Sequence, residues 1–142
     1  MTILLQHRVG RLLESRFVTP IDRGDLDEFD SARALLRTQF SNARIVVMDF
    51  RRASILPPEL ADTLVGLLHG PNPGLLRNGI LVPTASPTVA MQLTRIVREA
   101  KSDRRRVFRV VRELAAWLGE VLDASESSRL SHFLAEDTLK VG

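Results

Sequence analysis

The spacing of hydrophobic residues changes along the chain, and these changes predict alternating strands and helices. Residues 3 to 18 alternate loosely between apolar and polar side chains and include Gly10, which favours two short strands joined by a tight connection. The segment RIVVMDF, residues 44 to 50, is almost continuously apolar, as expected of an interior strand that is covered on both faces. Shorter apolar runs predict further strands at residues 78 to 84 and 106 to 110.

Two capping boxes predict where the first and last helices begin. Asp25 and Glu28 lie three positions apart, so each side chain can bond to the backbone N–H of the other residue. Asp123 and Glu126 have the same spacing near the end of the chain. The segment RELAAWLGEVL predicts another helix directly before the last one, with its tryptophan on the apolar face.

Prolines mark the starts of the two remaining helices. Pro57 and Pro58 begin one of them, because proline lacks the N–H that the first turn of a helix leaves unbonded. Gly70, which a proline follows, is its stop signal, and Ser86 with Pro87 begins the other helix. The side chains expected in the core are Leu26, Phe29, Leu36 and Phe40 in the first helix, Leu60, Leu64, Leu67 and Leu68 in the second, and Val89, Leu93, Ile96, Val97 and Ala100 in the third.

The order of these elements predicts the fold class. Alternation of strands and helices after an initial strand pair is typical of parallel strands joined through helices. We therefore expect an α/β fold with a single mixed, partly parallel sheet, packed helices and an extra C-terminal helix. A length of 142 residues suits one domain, with a core at about 3–122 and a C-terminal helical extension at 123–142.

Composition limits the range of functions. Cysteine is absent, which excludes disulfides, thiol nucleophiles and thiolate metal sites. The N-terminal apolar run is too short for a signal peptide or a membrane span, so we expect a cytoplasmic protein without membrane insertion. The net charge is +3, and the basic run at 101–109 lacks interleaved aromatic residues. We interpret that run as a solvated loop and expect no nucleic-acid partner.

Candidate catalytic and metal-binding residues are sparse. Asp49 ends the RIVVMDF strand without an evident nucleophile beside it, so we expect a structural carboxylate that pairs with arginine or bonds to the following loop. The histidines, His7, His69 and His132, lack the spacing of a metal site. We therefore expect no metal, cofactor or catalytic residue. Ser86 and Thr88 are a candidate anion site at a helix start, but ordinary capping is the interpretation that we favour.

The order of elements, together with the strand RIVVMDF and the strand RVFRV leading into RELAAWLGEVL, resembles the STAS superfamily. The similarity is to its small bacterial anti-sigma-factor-antagonist and Sec14-related members and covers roughly residues 3 to 122. It implies a regulatory domain that binds a protein partner. The partner-binding residues that it implies, around residues 51 to 62, are Arg51, Arg52, Ser54, Pro57, Pro58, Glu59 and Asp62.

One feature of that family is missing from this sequence. In the antagonists, a serine at the start of the helix after the central strand is phosphorylated. Pro57, Pro58 and Glu59 stand at the corresponding positions, so we expect that the phosphorylation switch is lost there, and Ser54 is the nearest remaining hydroxyl. The Sec14 likeness suggests a small-ligand or lipid-binding carrier as the alternative function. An enzyme of unrecognised type is a third class.

The C-terminal helix carries an apolar stripe that must be covered. Burying Leu130, Phe133 and Leu134 is worth several kcal/mol, at roughly 1.5 to 3 kcal/mol for each side chain. The stripe can pack on its own domain, beside Trp117, or on a second copy in a homodimer. The short connection to the preceding helix favours packing on the same chain, and hence a monomer.

Overall fold

The structure is a computed structural model that describes residues 3–69 and 74–139, with side-chain surroundings as far as residue 136. Within these ranges the chain has an α/β fold of five strands and five helices. In chain order the elements are β1 (Ile3–His7), β2 (Leu12–Val18), α1 (Arg23–Gln39), β3 (Ile45–Arg52), α2 (Pro58–Leu68), β4 (Arg77–Leu81), α3 (Pro87–Ala100), β5 (Arg105–Phe108), α4 (Val111–Gly119) and α5 (Ala124–Leu139).

The five strands form one mixed sheet in the order β1-β2-β3-β4-β5. Strand β1 is antiparallel to β2, and β2 to β5 are parallel to one another. The register places Leu13, Val46, Asn78 and Arg105 side by side across the four parallel strands. The amino ends of these strands therefore lie along one edge of the sheet, and their carboxyl ends lie along the opposite edge.

Helices cover both faces of the sheet. Helices α1, α2 and α3 pack on one face, where Phe17 and Phe50 stack with their ring centroids 4.2 Å apart. Helices α4 and α5 pack on the other face, against side chains that include Val47. Strand β3 lies in the middle of the sheet with both faces covered, which accounts for its continuous apolar run.

The interior position of β3 confirms the sequence prediction, but the end of the strand does not. Ile45, Val47 and Met48 are buried, and Val46 is partly buried. The strand continues for two residues beyond the predicted segment 44 to 50, to Arg52. Asp49 is thus an interior residue of the strand.

The last helix packs on its own domain, as the sequence predicted. Leu130, Phe133 and Leu134 are at most 4% exposed. They join a core cluster with Leu12 and Leu114, and Trp117 packs at its margin. The apolar stripe of α5 is therefore covered within the chain.

The capping boxes were predicted correctly for α5 and incorrectly for α1. At α5, the Asp123 carboxylate accepts from the N–H of Glu126, and Glu126 accepts from the N–H of Asp123. At α1, the N-cap is Asp22, whose carboxylate exchanges the same two bonds with Asp25 at 2.8 and 2.9 Å. The helix therefore begins one turn earlier than Asp25 and Glu28 suggested. Asp25 can serve as the N3 residue of one capping box or as the N-cap residue of the next.

Other element ends also differ from prediction. Phe40 lies just beyond the end of α1, is 36% exposed and stacks on His7 with the ring centroids 4.0 Å apart, so it is not a core residue. Strand β4 ends at Leu81 and β5 at Phe108, both earlier than predicted. Helix α2 ends at Leu68, and its predicted stop signal at Gly70 lies outside the described residues.

The basic run before and within β5 is not the solvated loop that the sequence suggested. Arg105 is the first residue of β5 and only 8% exposed. Arg104 donates to the carbonyl oxygen of Leu75 at 2.7 Å. The guanidinium of Arg106 lies 4.9 Å from the ring centroid of Trp117. Several of these charges are therefore held against the fold.

Two ion pairs join α5 to the first strands. Arg11 bonds to Glu126 through its backbone N–H and its guanidinium, at 2.6 to 3.1 Å. Arg129 holds the fully buried Glu14 through two bonds, at 2.6 and 2.8 Å. Hydrogen bonding to Glu14 raises the pKa of Arg129 above its usual value. Bidentate pairs of this kind fix geometry more firmly than a single contact.

Candidate partner-binding site

Asp49 is buried, and its carboxylate forms ion pairs with two arginines. Its carboxylate lies 3.3 Å from Nε of Arg16 and 2.9 Å from Nη2 of Arg51. It also accepts from the backbone N–H of Arg51 at 3.0 Å. These contacts confirm the sequence interpretation of Asp49 as a structural carboxylate that pairs with arginine and bonds to the residues that follow it.

The same two arginines attach the sheet to the last helix. Arg16 donates to the carbonyl oxygen of Phe133 at 2.8 Å, and Arg51 donates to that of Leu134 at 2.9 Å. The guanidinium of Arg16 also lies over the Phe133 ring, 4.3 Å from its centroid. Asp49 therefore holds one buried arginine, Arg16, and one partly buried arginine, Arg51, in position for α5.

The loop between β3 and α2 lies at the carboxyl edge of the parallel strands and is fixed on both sides of Ile55. The N–H of Ser54 donates to the Thr19 hydroxyl at 2.9 Å, and the two hydroxyls lie 3.0 Å apart. The N–H and C=O of Leu56 both bond to the side-chain amide of Gln92, at 2.8 Å each. Ile55, between these two attachments, is 53% exposed.

Ile55 lines an open groove against helix α3. Met91 lines the same groove and is 70% exposed, and Arg95, Arg98 and Arg109 line it as well. The groove has a volume of about 730 Å³. It therefore combines two exposed apolar side chains with three arginines, and Ile55 lies in the loop at the carboxyl ends of the parallel strands.

The arginines of the groove are only partly neutralised. Arg95 pairs with Glu99 at 2.7 Å, and both side chains are largely exposed. Within residues 3–69 and 74–136, neither Arg98 nor Arg109 forms an ion pair. The groove therefore carries an excess of positive charge, and an acidic ligand would be attracted to it.

The partner-binding residues predicted from the sequence do not lie on one surface. Pro58 and Asp62 line a cleft between α2 and α3, about 140 Å³ in volume, which shares Arg95 and Gln92 with the groove. Arg51 lies under α5 on the opposite face of the sheet. The predicted residues that are exposed at the start of α2 or in the loop before it are Ser54, Pro57, Pro58 and Glu59, whereas Arg52 is partly buried at the end of β3.

The candidate anion site at α3 shows a different arrangement from the one predicted. Ser86 is the N-cap residue, but its hydroxyl makes no capping bond to the helix backbone. It lies 3.3 Å from the hydroxyl of Thr88. Ordinary side-chain capping, the interpretation favoured from the sequence, is therefore wrong for Ser86, and the anion site itself stays a prediction.

The sequence analysis missed the two apolar residues that define the groove. Met91 is on the polar face of α3, and Ile55 is in a loop, so neither belongs to a periodic apolar stripe. A large apolar residue outside the stripe was the available signal. Gln92, which positions Ile55 through Leu56, could not have been chosen from its residue type.

Three further observations complete the description of the site. Among the described residues, no group of three or more histidine, aspartate or glutamate side chains is arranged to hold a metal ion. In the same part of the chain, no helix has both the length and the apolar character needed to cross a membrane. Comparison of the chain with protein-family models, curated proteins and solved structures finds no match.

Proposed function

We propose that this chain is a non-catalytic, STAS-like regulatory domain that binds another protein through the groove at Ile55 and Met91. The observation that carries the proposal is the fixed exposure of Ile55 between two hydrogen-bonded attachments, opposite an exposed methionine. Exposed apolar side chains in a contiguous surface mark interaction sites more often than isolated ones do. The order of elements supports the likeness to the STAS superfamily.

Charge complementarity defines the partner. Arg98 and Arg109 have no carboxylate partner among the described residues, and the groove between them is apolar at Ile55 and Met91. A segment that places large apolar side chains beside aspartate or glutamate would satisfy both features. The occupant that we propose is therefore an acidic, apolar segment of another protein.

The start of α2 supports a partner interaction without the phosphorylation switch. Pro57 is the N-cap, Pro58 is the first helical residue, and Glu59 lies in the first turn. Neither proline has a hydroxyl, and Glu59 supplies a permanent negative charge near the positive end of the helix dipole. Binding would then be regulated by the supply of the partner or by another site on the chain.

Selection from a library of displayed random peptides tests the groove directly. Peptides are selected on the wild-type chain and counter-selected on an Ile55→Asp, Met91→Asp double variant. We expect enrichment of segments that combine Asp or Glu with Leu, Ile or Phe. We also expect their binding to weaken at least tenfold in the double variant, because two apolar contacts are lost and negative charge is added beside the arginines.

A matched control distinguishes binding in the groove from nonspecific hydrophobic binding. Leu35 on α1 is 58% exposed and lies outside the groove, so a Leu35→Asp variant should bind the selected peptides as the wild type does. Equal loss of binding in Leu35→Asp and in the double variant would contradict the proposed site. Enrichment of basic peptides would also contradict it. The same holds if no enriched peptide distinguishes the wild type from the double variant.

A further inference from the structure

Three arginines come together at the opposite edge of the sheet, beside the amino ends of the parallel strands. Arg33 and Arg37 extend from the second half of α1, and Arg105 is the first residue of β5. They line a recess of about 90 Å³, which we name the arginine recess. Its apolar wall is formed by Leu13, Ala43, Val46, Met48 and Leu75.

Arg105 is a buried cation without a carboxylate partner among the described residues. It is 8% exposed, and it donates to the carbonyl oxygen of Leu68 at 3.1 Å and to the amide oxygen of Asn78 at 2.8 Å. Burial, and then repulsion by Arg33 and Arg37, lower the pKa of Arg105 to about 10. Both of its hydrogen-bond acceptors are neutral, so its charge is not balanced locally.

Arg33 and Arg37 add to this excess of positive charge. Arg33 donates through Nη2 to Asp30 at 2.7 Å and to the carbonyl oxygen of Leu67 at 3.1 Å. Its Nε is buried and has no hydrogen-bond partner in the described part of the chain. The side chain of Arg37 is exposed and forms no hydrogen bond or ion pair with any described residue. Of the three arginines, only Arg33 therefore has a carboxylate partner among the described residues, and that aspartate is half-exposed.

Capping of α2 accounts for only part of this arrangement. The bonds from Arg33 and Arg105 to the last carbonyl oxygens of α2 satisfy groups that a helix end leaves free. They do not explain the unused Nε of Arg33 or the position of Arg37. Guanidinium groups bind carboxylate and phosphate oxygens through paired N–H groups, and an anion here would use the donor that the fold leaves unbonded.

We propose that the arginine recess binds a small organic anion, with its carboxylate or phosphate head beside Arg33, Arg37 and Arg105. A short apolar tail would lie against Leu13 and Leu75. A recess of about 90 Å³ limits the apolar tail of the ligand to a few carbon atoms. The site lies at the edge of the sheet opposite the groove and does not depend on the function proposed there.

Arg37 offers a variant for which ligand binding and stability change in opposite directions. Because Arg37 is exposed and repels Arg105, the Arg37→Gln variant should raise the melting temperature of the ligand-free chain. If the proposal is correct, the same variant should weaken anion binding about tenfold, the loss expected for one hydrogen bond to a charged group. A purely structural role for Arg37 would not produce this combination.

The binding measurement is calorimetry on the full chain with butyrate and with butyl phosphate, which distinguishes a carboxylate head from a phosphate head. We expect saturable binding of at least one of them, no binding of butanol, and at least tenfold weaker binding of inorganic phosphate. The signal of the Arg33 Nε–H in a ¹⁵N-correlated NMR spectrum should shift during the same titration. Arg112→Gln, which removes an exposed arginine outside both the recess and the groove, should leave the affinity unchanged.

Several results would overturn the proposal. Failure of both anions to saturate the wild-type chain would do so, and so would binding of butanol as tight as that of butyrate. Equal affinity for inorganic phosphate and butyl phosphate would exclude the apolar wall as part of the site. Equal effects of Arg37→Gln and Arg112→Gln would show that only net charge attracts the anion. An Arg33 Nε–H signal that stays fixed during saturation would place the ligand elsewhere.

Discussion

Replacing Glu126 by glutamine should remove a pH-dependent part of the stability. Burial by itself would raise the pKa of this carboxyl group, but hydrogen bonds from Arg11 and from the N–H groups of Asp123 and Arg11 outweigh it and lower the pKa from 4.5 to about 2. The folded chain thus favours the charged form more than the unfolded chain does. The resulting stabilisation is present above about pH 4.5 and is lost as the pH falls towards 2.

The magnitude follows from the difference between the two pKa values. One pKa unit corresponds to about 1.36 kcal/mol, so the difference between 4.5 and about 2 amounts to about 3 kcal/mol. The Glu126 side chain is 1% exposed, but that of Arg11 is 34% exposed, so solvent screens the pair. We therefore expect Glu126→Gln to lower the free energy of unfolding by about 2 kcal/mol at pH 7.

Urea unfolding of both chains between pH 7 and pH 2 measures this effect. The two curves of unfolding free energy against pH should converge as the pH falls from about 5 to 2, because the wild-type glutamate becomes neutral there. Glu120→Gln is the matched control: Glu120 pairs with Arg77 but is 63% exposed, so its loss should cost less than about 1 kcal/mol. A difference between wild type and Glu126→Gln that stays constant with pH would refute the reasoning.

Two further predictions concern the last helix and the loop after β3. Leu130→Ala should lower the free energy of unfolding by about 2 to 5 kcal/mol without changing the mass measured by light scattering. Leu35→Ala, at an exposed position, should change the free energy of unfolding by less than about 0.5 kcal/mol. A dimer that becomes a monomer in Leu130→Ala would contradict the prediction. Mass spectrometry should detect no stoichiometric phosphate on Ser54, whose hydroxyl bonds to Thr19.

The fold was largely predictable because its main signals are local. The continuous apolar run at Ile45 to Met48 is what a strand with both faces covered requires, and the structure places it at the centre of the sheet. The apolar stripe with Leu130 and Phe133 was expected to be buried, and it packs in a core cluster of the same chain. The Asp22 cap was missed because two acidic residues with suitable spacing competed for the same helix start.

The charged and exposed features were less predictable because they depend on contacts between distant parts of the chain. The capping bond of Glu126 could be inferred from its spacing to Asp123, but its bond to Arg11 could not. Likewise, Arg33 and Arg105 are far apart in the sequence. They come together only because α1 packs on the face of the sheet that contains β5. Residue type and spacing carry little information about contacts between residues that are distant in the sequence.

The attachment of α5 to the first strands has a consequence for synthesis on the ribosome. Arg11 contacts Glu126, and Glu14 contacts Arg129, across 115 residues of sequence in each case. Glu14 and Arg16 consequently remain without their α5 partners until α5 has been synthesised. We expect the contacts of β2 to be completed only after α5 emerges, and a pause in translation before α5 would prolong the exposure of an apolar sheet surface.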